Sequence, residues 1–287
     1  MLKRVFNLCV SLGVTTVDRI GDAGGRLIGI EPRSRCVVLA YHAVSPEERS
    51  SFAWQMDVLI KKAKPLHADI DQLPDRSGHY AMVTFDDGLE NIIENALPEL
   101  QKRNIPATLF IVTDLLGRNR DWEHRGGDDT RQEKVMTEEQ LKAIASDSIS
   151  IGSHSMTHPL MTSISREQLR QELAGSREKL EKMLGRPVSL FSFPYGGFNE
   201  QTVAESRLAG YKRVFTALPV YACSVPNEFE TGRVGTHPTD WQLEFHLKLA
   251  GAYRWLPFAY SLKRRVRALL RGPQTGSSAE STEKRAA

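Results

Sequence analysis

Apolar residues along the middle of this chain arrive in two alternating rhythms. The run Val37-Val38-Leu39-Ala40-Tyr41 is short and rich in β-branched residues, which predicts a strand, and residues 52–63 after it read as a helix. Residues 80–85 read as the next strand, ending in Asp86-Asp87-Gly88. A helix over 91–103 and a buried strand over 107–113, entered through Pro106, follow. Thr137-Glu138-Glu139-Gln140 and Ser165-Arg166-Glu167-Gln168 are capping boxes, so helices should start at Glu138 and just after Ser165. The second carries Leu169, Leu173, Leu180 and Leu184 on one face and stops at Gly185. Further strands are predicted at 149–153, 188–193 and 213–216, with a helix over 200–209. There is no internal repeat. The alternation predicts an α/β fold whose parallel sheet is covered by helices, open or closed into a barrel. In a closed barrel, chemistry belongs at the C-terminal ends of the strands.

Composition narrows the picture only slightly. The 287 residues suffice for one large α/β domain or two small ones, and 40% hydrophobic with 25% charged residues is ordinary for a globular protein. A formal net charge of +3 is too small to point to nucleic acid, and no such partner is expected. Cys9, Cys36 and Cys223 form neither a disulfide framework nor a zinc-ribbon spacing, in keeping with a reducing compartment.

Four groups of residues fall at predicted strand ends. Adjacent carboxylates such as Asp86 and Asp87 point in different directions, so one can bind a metal while the other faces substrate, although Asp-Gly is also ordinary turn chemistry. His154 and His158, at i and i+4, can share one cation on a single helical turn. The turn Pro194-Tyr195-Gly196 after a strand could aim a backbone N–H at a developing oxyanion. Tyr41-His42 closes the first strand. Each signal alone is weak, but one barrel mouth could collect them all. Two His and one Asp supply the three protein ligands of an open catalytic zinc site.

Taken in order, Thr84-Phe85-Asp86-Asp87-Gly88, His154-Ser155-Met156-Thr157-His158-Pro159 and Phe193-Pro194-Tyr195 resemble the NodB-type polysaccharide deacetylases, carbohydrate esterase family 4. The likeness runs from about Arg35 to Trp255. It implies a distorted, incomplete (β/α) barrel that removes N-acetyl groups from sugars. Asp87, His154 and His158 would hold one divalent ion, zinc, with cobalt, nickel or iron as substitutes. Asp86 would be the general base, and the backbone N–H of Tyr195 would hold the oxyanion. Two departures stand out. The family's usual Arg two residues before the motif Pro is Ser192 here, and Arg233 is the candidate substitute that braces Asp86. No late Leu-x-His supplies an acid. The early Tyr41-His42 instead resembles the branch with poly-N-acetylglucosamine deacetylases, which makes His42 the expected acid and His237 the fallback. Other readings are a degenerate carbohydrate-binding barrel and a hydrolase of another small amide.

The ends of the chain are read separately. Lys3 and Arg4 precede an apolar run broken by Asn7, Ser11, Gly13, Thr15 and Thr16, with no small-x-small cleavage site. Residues 1–32 are therefore expected to be a helical segment that packs on the domain or touches a membrane, not an export signal. The deacetylase domain is expected over 33–245. Residues 246–271 lack acidic residues and place Leu262, Val266, Leu269 and Leu270 at helical spacing among Lys and Arg. Within them, 254–271 should form a basic amphipathic helix, lying on an anionic membrane or packing on the barrel with a solvated basic face. The tail 272–287 is expected to be disordered. With no run of the roughly 18–20 apolar residues that spans a bilayer, the expected location is cytoplasmic, peripheral on the inner face of the plasma membrane.

Overall fold

The computed structural model describes residues 1–75, 77–120, 122 and 133–271, with side chains as far as Lys263. Among the described residues nine strands form one sheet: β1 (Arg35–Tyr41), β2 (Lys64–Pro65), β3 (His79–Phe85), β4 (Ala107–Ile111), β5 (Ile149–Ser153), β6 (Leu190–Ser192), β7 (Arg213–Thr216), β8 (Glu230–Gly232) and β9 (Val234–Gly235). Every pairing is parallel, in the order β8-β7-β6-β5-β4-β3-β1-β9, with β2 added beside β3. The first and last strands of that path are separated in sequence by Arg233 alone. β8 pairs with β7 and β9 with β1, so one extended stretch bends the sheet into a nearly closed barrel. The expected distorted (β/α) barrel is the fold observed.

Side-chain alternation divides the core. Cys36, Val38, Tyr80, Met82, Phe110, Leu190 and Phe215 fill the barrel interior. Val37, Leu39, Tyr41, Ala81, Val83 and Phe85 pack outward under the helices. Strands buried on both faces need near-continuous apolar sequence, which explains the runs at β1, β3 and β4. The inward row of β3, Tyr80-Met82-Thr84, leads by the same parity to Asp86.

Helices surround this sheet: α1 (Leu2–Leu27), α2 (Arg49–Lys62), α3 (Asn91–Asn95), α4 (Leu97–Gln101), α5 (Glu138–Ile144), α6 (Arg166–Leu184), α7 (Glu200–Leu208), α8 (Gln242–Leu249) and α9 (Leu256–Arg271). Both capping boxes form, and Gly185 closes α6 in the left-handed conformation at φ 64°. The helix expected over 91–103 is instead two short ones. Pro98 has no N–H for the carbonyl of Glu94, and Arg49 donates to that oxygen at 3.0 Å. The strand expected over 188–193 is confined to Leu190–Ser192, and α8 runs across the boundary expected at 245/246. α1 docks on the domain through Arg4–Glu244, Ser11–Trp255, Asp18–Arg254 and Asp22–Arg35. α9 extends over most of 254–271, and the tail 272–287 lies outside the described residues.

Candidate active site

The strand ends place the chemistry. Asp86 continues β3, its backbone N–H donating to the carbonyl of Tyr41 at 2.9 Å, which sets it beside the end of β1. From the β8–β9 seam Arg233 enters the barrel between Phe110 and Phe215. Its two terminal nitrogens grip Asp86 as a fork, Nη1 to Oδ1 at 2.7 Å and Nη2 to Oδ2 at 2.8 Å. The remaining donors reach Thr84 Oγ1 at 3.2 Å and Ser192 Oγ at 2.7 Å. Burial would push the Asp86 carboxyl up, but the Arg233 guanidinium and the imidazoles of His154 and His42 bring it down to about 2.

One residue further, Asp87 faces two histidines. His154 Nε2 lies 3.5 Å and His158 Nε2 3.3 Å from the same carboxylate oxygen, Oδ1. His154 donates from Nδ1 to the carbonyl of Ser192 at 2.8 Å, which fixes the tautomer and leaves Nε2 as a lone-pair donor toward Asp87. Both Asp87 oxygens are buried and make no hydrogen bond among the described residues. Burying such a carboxylate without hydrogen bonds is costly unless cations pair with it; Arg120 Nη1 stands 3.7 Å from Oδ2, which leaves Oδ1, between the two imidazoles, for a metal ion. Ligands at about 2.1 Å around a tetrahedral ion sit about 3.4 Å apart, and the 3.3 and 3.5 Å separations match that spacing. The donor set fits a divalent metal ion.

Backbone strain gathers here as well. Asp87 (φ 71°), Ser155 (φ 71°), His158 (φ 60°) and Tyr195 (φ 57°) all occupy the left-handed region without being glycine. Such conformations persist where the surroundings over-determine them, commonly at functional sites. The Tyr195 ring meets His158 edge-on at 4.6 Å.

His42 follows β1 and is close enough to lower the carboxyls of both Asp86 and Asp87. His237 is not brought into this group. Its ring is half exposed, with Nδ1 2.7 Å from Thr239 Oγ1 and 3.6 Å from Glu48. Only its carbonyl is tied inward, by Gln55 at 2.9 Å.

Residues 74–214 match the polysaccharide deacetylase family. That stretch is a polysaccharide deacetylase domain. The deacetylase resembles IcaB from Ammonifex degensii, with 27% identity over 77% of this chain and all of that one, and a TM-score of 0.64. The PplD deacetylase of Streptococcus pyogenes, solved with acetate, shares the fold at 21% identity and TM-score 0.60, over 72% of this chain and 95% of its own. Bacillus subtilis YxkH, which carries a polysaccharide deacetylase name, is 26% identical over 77% of this chain and 78% of its own length.

Two groups at the site escaped the sequence reading. Trp122 stacks on the His158 ring at 4.1 Å, and Arg120 Nη1 lies 3.7 Å from Asp87 Oδ2. They lie eleven and nine residues past the end of β4, too far along for the strand-end rule to mark them. In this deacetylase the Arg departure at 192 also gains a local context, since the Ser192 hydroxyl accepts from the Arg233 guanidinium.

Proposed function

We infer that the chain hydrolyses the acetamide of N-acetylated sugars, whether polysaccharide, oligosaccharide or lipid-linked precursor, to acetate and the free amino sugar. One observation carries this reading: a carboxylate locked by a buried guanidinium stands next to an Asp-His-His donor set at metal-ligand spacing. Asp87, His154 and His158 would hold one divalent ion, zinc by its donor types, with cobalt, nickel or iron able to replace it. Such an ion would lower the pKa of water and polarise the acetamide carbonyl.

The chain's own groups do the rest. Asp86 takes a proton as water adds to the carbonyl carbon. Each of its oxygens accepts one bond from Arg233 and keeps a second lone-pair site for that proton. Arg233 thereby holds the base ionised and fixed in direction. The backbone N–H of Tyr195 faces the charge that develops on the carbonyl oxygen. His42 gives a proton to the sugar nitrogen as the C–N bond breaks, because an amine anion is too poor a leaving group to depart alone. The test is metal analysis of the purified protein together with acetate release from N-acetylglucosamine oligomers and lipid-linked N-acetyl sugars. Stoichiometric metal with acetate release on either substrate supports the reading. A metal-free protein that binds the sugars without turnover overturns it in favour of a binding barrel.

A further inference from the structure

α1 (Leu2–Leu27) leaves most of its apolar residues turned away from the domain. A helix packed on a globular domain normally directs its apolar stripe inward and its polar face outward. Here the domain-facing side seats Leu8 in the core and Val14 against it, and beside them Arg4, Ser11, Asp18 and Asp22 are each held by a polar partner on the domain. The outward side carries Leu2, Phe6, Leu12, Val17, Ile20 and Leu27, with Phe6 59%, Val17 70% and Ile20 68% exposed. At about 100° per residue these fall in one stripe along the helix, with Lys3 on one edge and Arg19 and Arg26 on the other. Both acids of the helix lie on the opposite side, so the outward face is apolar and edged only by cations.

The start of α9 extends this surface. Trp255 meets Phe6 edge-on at 6.1 Å and donates to Ser11, which fixes α9 against α1. Phe258 is 71% exposed and Leu262 half exposed. The sequence then runs through Lys263, Arg264, Arg265 and Arg267 with no acidic residue between Phe245 and Arg271.

We propose that the outward face of α1, together with the adjoining start of α9, lies on an anionic lipid bilayer. No helix among the described residues is long and apolar enough to cross a membrane, so the helix rests in the interface with its stripe among the acyl chains and its edge cations at the headgroups. Charge argues against a second copy as the occupant. Two such faces packed together would bring cationic edges against cationic edges, with no acid on either to pair them. The attachment also has a direction. Arg4 and Glu244 tie the start of α1 near the rim residue Thr239, whereas Asp22 holds Arg35 at the opposite end of β1. α1 thus lies along the barrel's flank from mouth to base.

Flotation of the full chain with phosphatidylcholine vesicles, with and without phosphatidylglycerol, tests this without reading activity. The wild type should float with the anionic vesicles, release at high salt, and stay down with phosphatidylcholine alone. Val17→Glu/Ile20→Glu should lower the bound fraction about tenfold or more, since both side chains lose their apolar contact with lipid. Its circular dichroism and metal content should match the wild type, which separates lost docking from lost folding. Arg19→Gln/Arg26→Gln should weaken binding and flatten its salt dependence. Equal flotation of Val17→Glu/Ile20→Glu and wild type overturns the proposal. So does a wild type that never floats, whether it is a monomer or, by light scattering, a dimer that the double variant dissolves.

Discussion

Replacing Arg233 by Met is the sharpest test of how the base is held. Arg233 and Asp86 are both buried, 3% and 7% exposed at the side chain, and joined by two bonds of 2.7 and 2.8 Å. Met keeps much of the volume between Phe110 and Phe215 but leaves the Asp86 carboxylate without its counter-charge. Breaking a buried pair from one side costs about 3–5 kcal/mol. For a domain of this size that lowers Tm by roughly 6–20 °C, at about 2–4 °C per kcal/mol. The loss of a fixed direction for the base should cost turnover about 10²-fold or more. Lys at 233 restores a point charge but not the fork, and should fall between Met and wild type. The more telling variant pairs Arg233→Ser with Ser192→Arg, which moves the guanidinium to the position where the family usually carries it. That exchange should recover at least about tenfold of the activity lost in Arg233→Ser alone. Acetate release, with metal content and thermal unfolding measured on the same samples, reads all of these. If Arg233→Met kept kcat/KM within about threefold of wild type and left Tm unchanged, the brace would have no part in holding Asp86.

The other predictions follow from single contacts. His154→Ala should lose both metal and activity, whereas Asp86→Asn should keep the metal and lose activity; metal analysis beside acetate release separates the two, and a fully active Asp86→Asn rules out the base role. His42→Ala should lower turnover by roughly 10²–10⁴-fold with metal retained, as removal of a general acid does. His237→Ala should do far less, because its ring points to Thr239 and Glu48; the reverse ranking in steady-state kinetics would move the acid to His237. Gly152→Ala would bring a Cβ to 2.6 Å from the Phe110 ring and 3.1 Å from the Leu190 carbonyl. That overpacking should destabilise by about 1–3 kcal/mol, and an unchanged Tm would show that the ring can move away.

The alternation of strands and helices, the capping boxes and the Asp86-Asp87, His154 and His158 group were legible in the sequence because each rests on local physics. A strand buried on both faces must be apolar throughout, and a capping box needs only four residues. Histidines four apart cannot be far from one another, although His154 and His158 meet in a bend after β5 with His158 at φ 60° and not on the helical turn expected of them. Ser192 against the family's Arg was equally visible as a departure. What the chain could not show from its order alone was where distant residues meet. The β8–β9 seam is made of strands of three and two residues, too short to leave a periodic signal. Yet that seam closes the barrel and carries Arg233 across 147 positions to Asp86. His42 ranked ahead of His237 only through the resemblance carried by Tyr41-His42; the pairing of Tyr41 with Phe85 brings the one beside Asp86, while the other's ring turns outward to Thr239 and Glu48. Trp122 gave no periodic signal and lies over His158 only because the segment after β4 returns to the mouth. α1 shows the same division in reverse. Its apolar residues were plain from the sequence, but which side of the helix they faced depended on the salt bridges of Asp18 and Asp22 to Arg254 and Arg35, residues that only the closed barrel brings within reach.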